Sequence, residues 1–233
     1  MSPDSPCPGQ DGPRFFGRRK GKTLRVTGRT LVETRLPALA IPEPGRDETL
    51  DPASLFSAPP SALWLEVGFG GGEHLAWQAA HHPGTGIIGG EVFLNGIASL
   101  LGHLDENGAT NVRIFPEDVR RLFPALPDGC LDRVFVLFPD PWPKKRHASR
   151  RFIGPDNLPV LARLMKPGAE LRVASDDPVY QDWASEHLEA SEQFQALAGH
   201  DILSKPADWP QTRYEQKALR EGRIPHYFRY IRL

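Results

Sequence analysis

The stretch Glu66-Val-Gly-Phe-Gly-Gly-Gly72 sets a carboxylate at the end of an apolar run and follows it with four glycines in five positions. Glycines at such a place let the backbone approach a nucleotide-like ligand, and Gly68 and Gly70 are the expected contacts. In the dinucleotide-binding version of this loop a small residue follows, whereas position 73 here is Glu. A carboxylate at a helix start sits where a pyrophosphate would have to lie, and that repulsion argues against a nicotinamide cofactor. S-adenosyl-L-methionine has no phosphate and carries an ammonium and a sulfonium, so an acidic loop attracts it. Glu66 falls inside the apolar pattern, where an unpaired carboxylate is costly, and a role toward that cation accounts for it.

Glu91 closes a second apolar run about 20 residues further on, the spacing at which an acidic side chain accepts hydrogen bonds from both ribose hydroxyls. Asp118 follows a third run and has two readings, a partner for the adenine amino group or the cap of a short helix beginning at Val119. A fourth run leads directly into Phe138-Pro-Asp-Pro-Trp-Pro-Lys-Lys-Arg-His-Ala-Ser-Arg-Arg151. Three prolines in five residues stiffen this turn, Trp142 offers a stacking face, and five Lys or Arg follow. Aromatic stacking combined with cations is how looped or single-stranded RNA is held. The alternative is a solvated basic loop with Trp142 turned inward and Asp140 merely forming the turn.

Bringing these residues to one edge requires a sheet. Residues 63–67, 86–91, 111–115, 133–137, 170–175 and 227–233 read as strands. Residues 73–80 and 158–166 read as helices, the second stopped by Pro167-Gly168, and Leu94, Ile97, Ala98, Leu101 and Leu104 give helical spacing up to a stop at Gly108. Asp177-Pro178 opens a further helix with Tyr180, Trp183, Ala184, His187 and Leu188 on one face. This alternation predicts an α/β fold, a mostly parallel sheet with helices on both faces and ligands beyond the carboxyl ends of its strands.

At 233 residues and 25.9 kDa one domain is expected. It begins near Ser61, after a basic, Pro- and Gly-rich extension over residues 1–60 that is partly disordered, with residues 1–13 as a tail. A net charge of -1 ordinarily argues against nucleic acid, yet residues 14–35 hold eight Lys or Arg against Glu33 alone, and a second basic cluster spans residues 144–151. Local clusters, not the total, decide polyanion binding. Cys7 and Cys130 have no partner at metal-ligand spacing, and no apolar stretch reaches the roughly 18 residues needed to cross a bilayer. The start lacks the apolar core of a secretory signal, so a cytoplasmic protein is expected, with monomer and homodimer both open.

Taken together, Leu65-Glu-Val-Gly-Phe-Gly-Gly-Gly72, Gly90-Glu-Val92, the string from Phe138 to Arg151, Ala174-Ser-Asp176 and Thr212-Arg-Tyr-Glu215 resemble the bacterial tRNA (guanine-N7-)-methyltransferases, from about Phe16 to the C-terminus. The resemblance implies a Rossmann-like class I S-adenosylmethionine-dependent methyltransferase acting on tRNA, at a variable-loop guanosine. It implies Glu66, Glu91, Asp118 and Asp140 on the cofactor side, with Asp140 also catalytic. Lys144, Asp176, Thr212, Arg213, Tyr214 and Glu215 match positions that contact the guanosine, and Arg146, His147, Arg150 and Arg151 match the RNA-contacting segment. The family usually has Ile where Gly90 stands, a second His where Ala148 stands, and Lys-Phe where Arg213-Tyr214 stands.

Guanine N7 has a lone pair and no proton, so its methylation needs alignment and exclusion of water rather than a general base. A carboxylate bonded to N1 and N2 would favour the positive charge that develops on the ring. Asp140 is the candidate, with Asp176 and Glu215 fixing the base edge. Two readings compete: the same fold and cofactor with a small-molecule acceptor, which leaves the basic loop unexplained, and an inactive RNA-binding subunit, which would not need Glu66, Glu91, Asp140 and Asp176.

Overall fold

The computed structural model describes Pro13, residues 15–17, Arg19 and residues 21–233; the tail expected over residues 1–13 lies, but for Pro13, outside the described residues. Seven strands, β1 (Ala62–Val67), β2 (Thr85–Gly90), β3 (Val112–Phe115), β4 (Leu131–Leu137), β5 (Met165–Ser175), β6 (Phe194–Ala196) and β7 (His226–Arg232), form one sheet in the order β3-β2-β1-β4-β5-β7-β6. β1 to β5 run parallel, and β7 pairs antiparallel with both β5 and β6. The order reverses between β1 and β4, which opens a crevice at the carboxyl ends of those two strands.

The strand period of two sorts side chains to the two faces. Leu63 and Leu65 of β1, with Val134 and Val136 of β4, join one core with α5 (Leu158–Leu164) and α6 (Pro178–Glu189). Trp64 and Phe135 point the other way, into a core with α3 (Glu73–His81) and α4 (Leu94–Asn107). Glu66 shares the Trp64 face, so the alternation itself aims its carboxylate at the start of α3. The helix α6 opens as its sequence predicts, with the Asp177 carboxylate accepting from Tyr180 N at 3.1 Å and Pro178 in the first turn. α5 ends two residues early, and Pro167-Gly168 falls in an irregular start of β5 rather than at a helix stop. At Gly90 a Cβ would lie 2.5 Å from the Val119 Cβ, so Val119 fills the space a larger residue would take.

The expected boundary at Ser61 needs correction. Ile41 is 2% exposed in the first core, and its N–H donates to Ile114 O at 2.8 Å, extending a bridge between Ala40 and β3. Two helices not foreseen, α1 (Val26–Thr34) and α2 (Leu36–Leu39), lean Leu31, Val32, Leu36 and Leu39 on the α3/α4 side. The last helix, α7 (Arg213–Arg220), sits beside the crevice with Thr212 as its cap. Among the described residues no helix is long and apolar enough to cross a membrane.

Candidate active site

The loops after β1, β2 and β4 enclose a cavity of about 420 Å³ at the reversal of strand order. Its lining carries four carboxylates, Glu66, Glu73, Glu91 and Asp140, and, among the described residues, no Lys or Arg. Gly68 and Gly70 have φ of 65° and 55°, a left-handed backbone that other residues adopt only with strain. A Cβ on Gly68 would meet nothing within 4 Å, so the loop leaves open space beside the cavity. Glu73 is compensated by Arg213, 2.9 Å away, whereas Glu91 and Asp140 have no cationic partner among the described residues. A site with that charge and that exposed backbone fits a ligand that is cationic and close to the main chain, as S-adenosylmethionine is.

Glu91 Oε1 accepts from Val92 N and Phe93 N at 2.8 and 2.9 Å, and Oε2 accepts from Gly70 N at 2.8 Å. Three of its roughly four acceptor positions are therefore used by backbone, leaving about one in this conformation, not two ribose hydroxyls' worth. Burial pushes its carboxyl above the ordinary value despite those bonds, and the charge of Asp140 adds to the rise. Asp140 is itself raised by desolvation, although its side chain reaches solvent at the cavity mouth, and it accepts no hydrogen bond among the described residues. Asp118 caps the short turn after β3 through Arg120 N at 3.1 Å and pairs with the Arg120 side chain at 2.6 Å. Both its oxygens are thus engaged, which favours the capping alternative, while it also lines a smaller adjoining cavity of about 140 Å³.

Glu66 is 2% exposed, and its Oε2 accepts from His74 Nδ1 at 2.7 Å. His74 packs edge-on to Phe135 and tilted against Trp209, with centroids 4.7 and 5.4 Å away, and Gln78 reaches its other nitrogen at 3.1 Å. Sequence reasoning missed His74. Its signal was the position two after Gly72, in the first turn of α3, with Gln78 one turn on.

The loop after β4 is strained and is held by one buried cation. Phe138 and Trp142 both have positive φ, 48° and 43°, each just before a proline; for bulky residues this costs of order 1–3 kcal/mol apiece. Arg151 supplies the opposing hold, donating to Pro141 O and Trp142 O at 2.9 Å each and lying over Trp183. Arg151, expected among the RNA-contacting residues, is 7% exposed, and its guanidinium is engaged inside the loop. Arg150 instead lies over Phe16 and Trp142, 4.2 and 4.9 Å from their ring centroids, so Trp142 has one neighbour already stacked. Lys144, Lys145 and Arg146 are exposed. His147 packs edge-on to Trp142, and slight burial followed by the charges of Arg150, Arg146 and Lys144 pushes its imidazole below the usual value. Phe15 and Gly17 line both cavities, which sequence reasoning did not anticipate for the N-terminal extension.

Of the remaining expected substrate contacts, Thr212 and Tyr214 reach the cavity. Tyr214 sits against Gly70, and Arg213 crosses Gly71 to Glu73, so the N-terminus of α7 is docked on the glycine loop. Asp176 and Glu215 are not brought into the lining. Asp176 pairs with Arg223 at 2.6 Å, while Glu215, 2% exposed, accepts from Tyr227 Oη at 2.5 Å and Lys205 Nζ at 2.8 Å. Among the described residues no group of His, Cys, Asp and Glu could hold a metal ion.

A strand order of 3-2-1-4-5-7-6 with an acidic crevice at the reversal is that of a class I S-adenosylmethionine-dependent methyltransferase with a Rossmann-like sheet. Residues 60–227 match a family model described as "Putative methyltransferase". A tRNA (guanine-N(7)-)-methyltransferase of Paramagnetospirillum magneticum is 60% identical over 222 residues, 94% of this chain and 93% of that protein, and one of Rhodospirillum rubrum is 55% identical over 94% and 88%. An rRNA methylase of Streptococcus thermophilus shares the fold with a TM-score of 0.52 at 13% identity, over 78% of this chain and 92% of that one. The chain belongs to the tRNA (guanine-N(7)-)-methyltransferase family.

Proposed function

We propose that this protein transfers the methyl group of S-adenosylmethionine to N7 of a guanine in tRNA, in the cytoplasm and as a monomer or homodimer, with a variable-loop guanosine as the target the family resemblance implies. The observation that carries this reading is the meeting of two surfaces at Asp140: an acidic cavity behind it and a rigid aromatic and cationic loop in front of it. The relatives' printed names supply the acceptor.

The cofactor contributes an electrophilic methyl group on a sulfonium. Glu66, Glu91 and the glycine backbone would hold its cationic and ribose portions, and Tyr214 with Thr212 would close the cavity over it. Asp140 is free to accept hydrogen bonds from the guanine edge and, when ionised, favours the charge that appears on the ring as N7 is methylated. Lys144, Lys145 and Arg146 face solvent beyond it, and Lys22, Arg25 and Arg29, exposed and without ion pairs among the described residues, extend the cationic surface along the start of α1. These cations would contact phosphates, which position RNA without reading sequence.

The test is incubation with methyl-labelled S-adenosylmethionine and tRNA lacking 7-methylguanosine, then digestion and identification of the labelled nucleoside. Label in 7-methylguanosine, reduced about 100-fold in Asp140→Asn with cofactor Kd nearly unchanged, is the expected result. Cofactor binding with no label in tRNA would point to a small-molecule acceptor, and absence of cofactor binding to an inactive RNA-binding subunit.

A further inference from the structure

A buried polar chain links the two halves of the site. Gln78 is fully buried, and its Nε2 lies 2.8 Å from Asp208 O and 3.1 Å from His74 Nε2. An amide nitrogen carries two protons, one for each contact, so His74 Nε2 must accept. The reversed amide would set its oxygen against the Asp208 carbonyl. His74 is therefore the neutral Nδ1–H form, and that proton is donated to Glu66 Oε2, leaving Oε1 without a partner among the described residues. At the far end the Asp208 carboxylate is fixed by Arg172, 2.8 Å away, and Arg172 is fixed by Glu170 at 2.9 Å. Asp208 and Trp209 precede Thr212 and Tyr214 by only a few residues, and Trp209 packs between His74 and Tyr227, the partner of Glu215.

We propose that His74 is a positioning residue that does two separable things: through Nδ1 it orients the Glu66 carboxylate toward the cofactor, and through Nε2 and Gln78 it holds the segment leading to Thr212 and Tyr214 over the same cavity. This rests on the methyl-transfer reading above. From Glu66 through His74 to Gln78 the chain is buried, so the orientation it imposes is stiff, and neither end can shift without breaking a hydrogen bond.

The two roles can be cut apart. His74→Asn keeps an amide N–H near the place of Nδ1 and loses the acceptor for Gln78. His74→Gln extends a carbonyl to the place of Nε2 and loses the donor to Glu66. Gln78→Met cuts only the second link, with similar volume and without touching His74. Two readouts are taken on the full-length protein: equilibrium Kd for S-adenosylmethionine, and amide hydrogen exchange of residues 205–215 without ligand. His74→Gln should weaken cofactor binding about tenfold and leave exchange unchanged. His74→Asn and Gln78→Met should leave Kd within about threefold and speed exchange in that segment about tenfold.

If both readouts move together in every variant, in proportion to lost thermal stability, His74 is only a packing residue and the proposal fails; it fails equally if neither moves. The outcome is independent of the acceptor. A wild-type protein that binds cofactor but does not methylate tRNA would refute the proposed function while leaving both readouts to decide on His74.

Discussion

Gly96 and Gly102 lie six residues apart on α4, and alanine at the two positions should have opposite effects. Each substitution gains helix propensity of about 1 kcal/mol. At Gly102 the new methyl would meet only Leu31 Cδ1 at 3.9 Å, an ordinary contact, so the gain survives. At Gly96 it would stand 2.1 Å from Gly70 O. Relieving that overlap requires roughly 1 Å of movement. The helix cannot retreat, because Ile97, Leu100, Leu101 and Leu104 are buried beneath it, so the glycine loop must move. Gly70 N then leaves Glu91 Oε2, a charge-assisted bond worth about 1.5–3 kcal/mol, on top of overpacking of about 1–3 kcal/mol. The propensity gain is common to both variants, so Gly96→Ala should be about 2.5–6 kcal/mol less stable than Gly102→Ala, a gap in Tm of roughly 5–25 °C. Cofactor affinity, measured by calorimetry, should fall at least about tenfold in the first and stay unchanged in the second, since a loop misplaced by 1 Å no longer presents its backbone correctly. A Gly96→Ala protein as stable as Gly102→Ala, with wild-type affinity, would refute the packing argument.

Three further outcomes are expected. Because burial raises both Glu91 and Asp140 and a bound cation favours their ionised forms, cofactor affinity should be constant at neutral pH and fall as acid protonates them, beginning above the usual carboxylate range; Kd against pH should steepen toward about one decade per unit for each carboxyl, and Glu91→Gln should flatten it. Arg151→Met strips two half-buried loop carbonyls of their donor and should cost about 2 kcal/mol in urea unfolding, whereas Arg146→Met, on the surface, should stay within about 0.5 kcal/mol; equal costs would contradict the assigned places of these cations. Replacing Lys22, Arg25 and Arg29 with Gln should reduce the slope of log tRNA affinity against log salt by about 2–3, and an unchanged slope would remove α1 from the RNA surface.

The strands and the acidic residues at their ends were readable because burial on both faces writes an unbroken apolar run, and the fold hangs its functional groups where each run stops. Helices α1 and α7 were not. Val26 is 80% exposed and α7 buries only Glu215 and Ala218, so neither shows an apolar stripe. Arg150 and Arg151 are adjacent and chemically alike, yet one lies over aromatic rings at the cavity mouth and the other is sealed beneath the loop; only the carbonyls of Pro141 and Trp142 distinguish them, and these are tertiary neighbours. His74 escaped notice for the same reason. Its two polar links run to β1 and within α3, and Gln78 in turn reaches a residue 130 positions further on. Asp118 carried two readings in sequence because capping and ligand binding ask for the same oxygen, and the Arg120 contact tips the balance.

The bridge between Ala40 and β3 has a consequence for how the molecule behaves among its own copies. An open edge strand is a template on which another chain can add a strand. Here Ile41 N–H occupies the Ile114 carbonyl on one edge, and the opposite edge, β6, is only three residues long. A protein begun at Ser61 would keep all four carboxylates of the acidic cavity and yet uncover the β3 edge, leaving a catalyst prone to stack edge to edge.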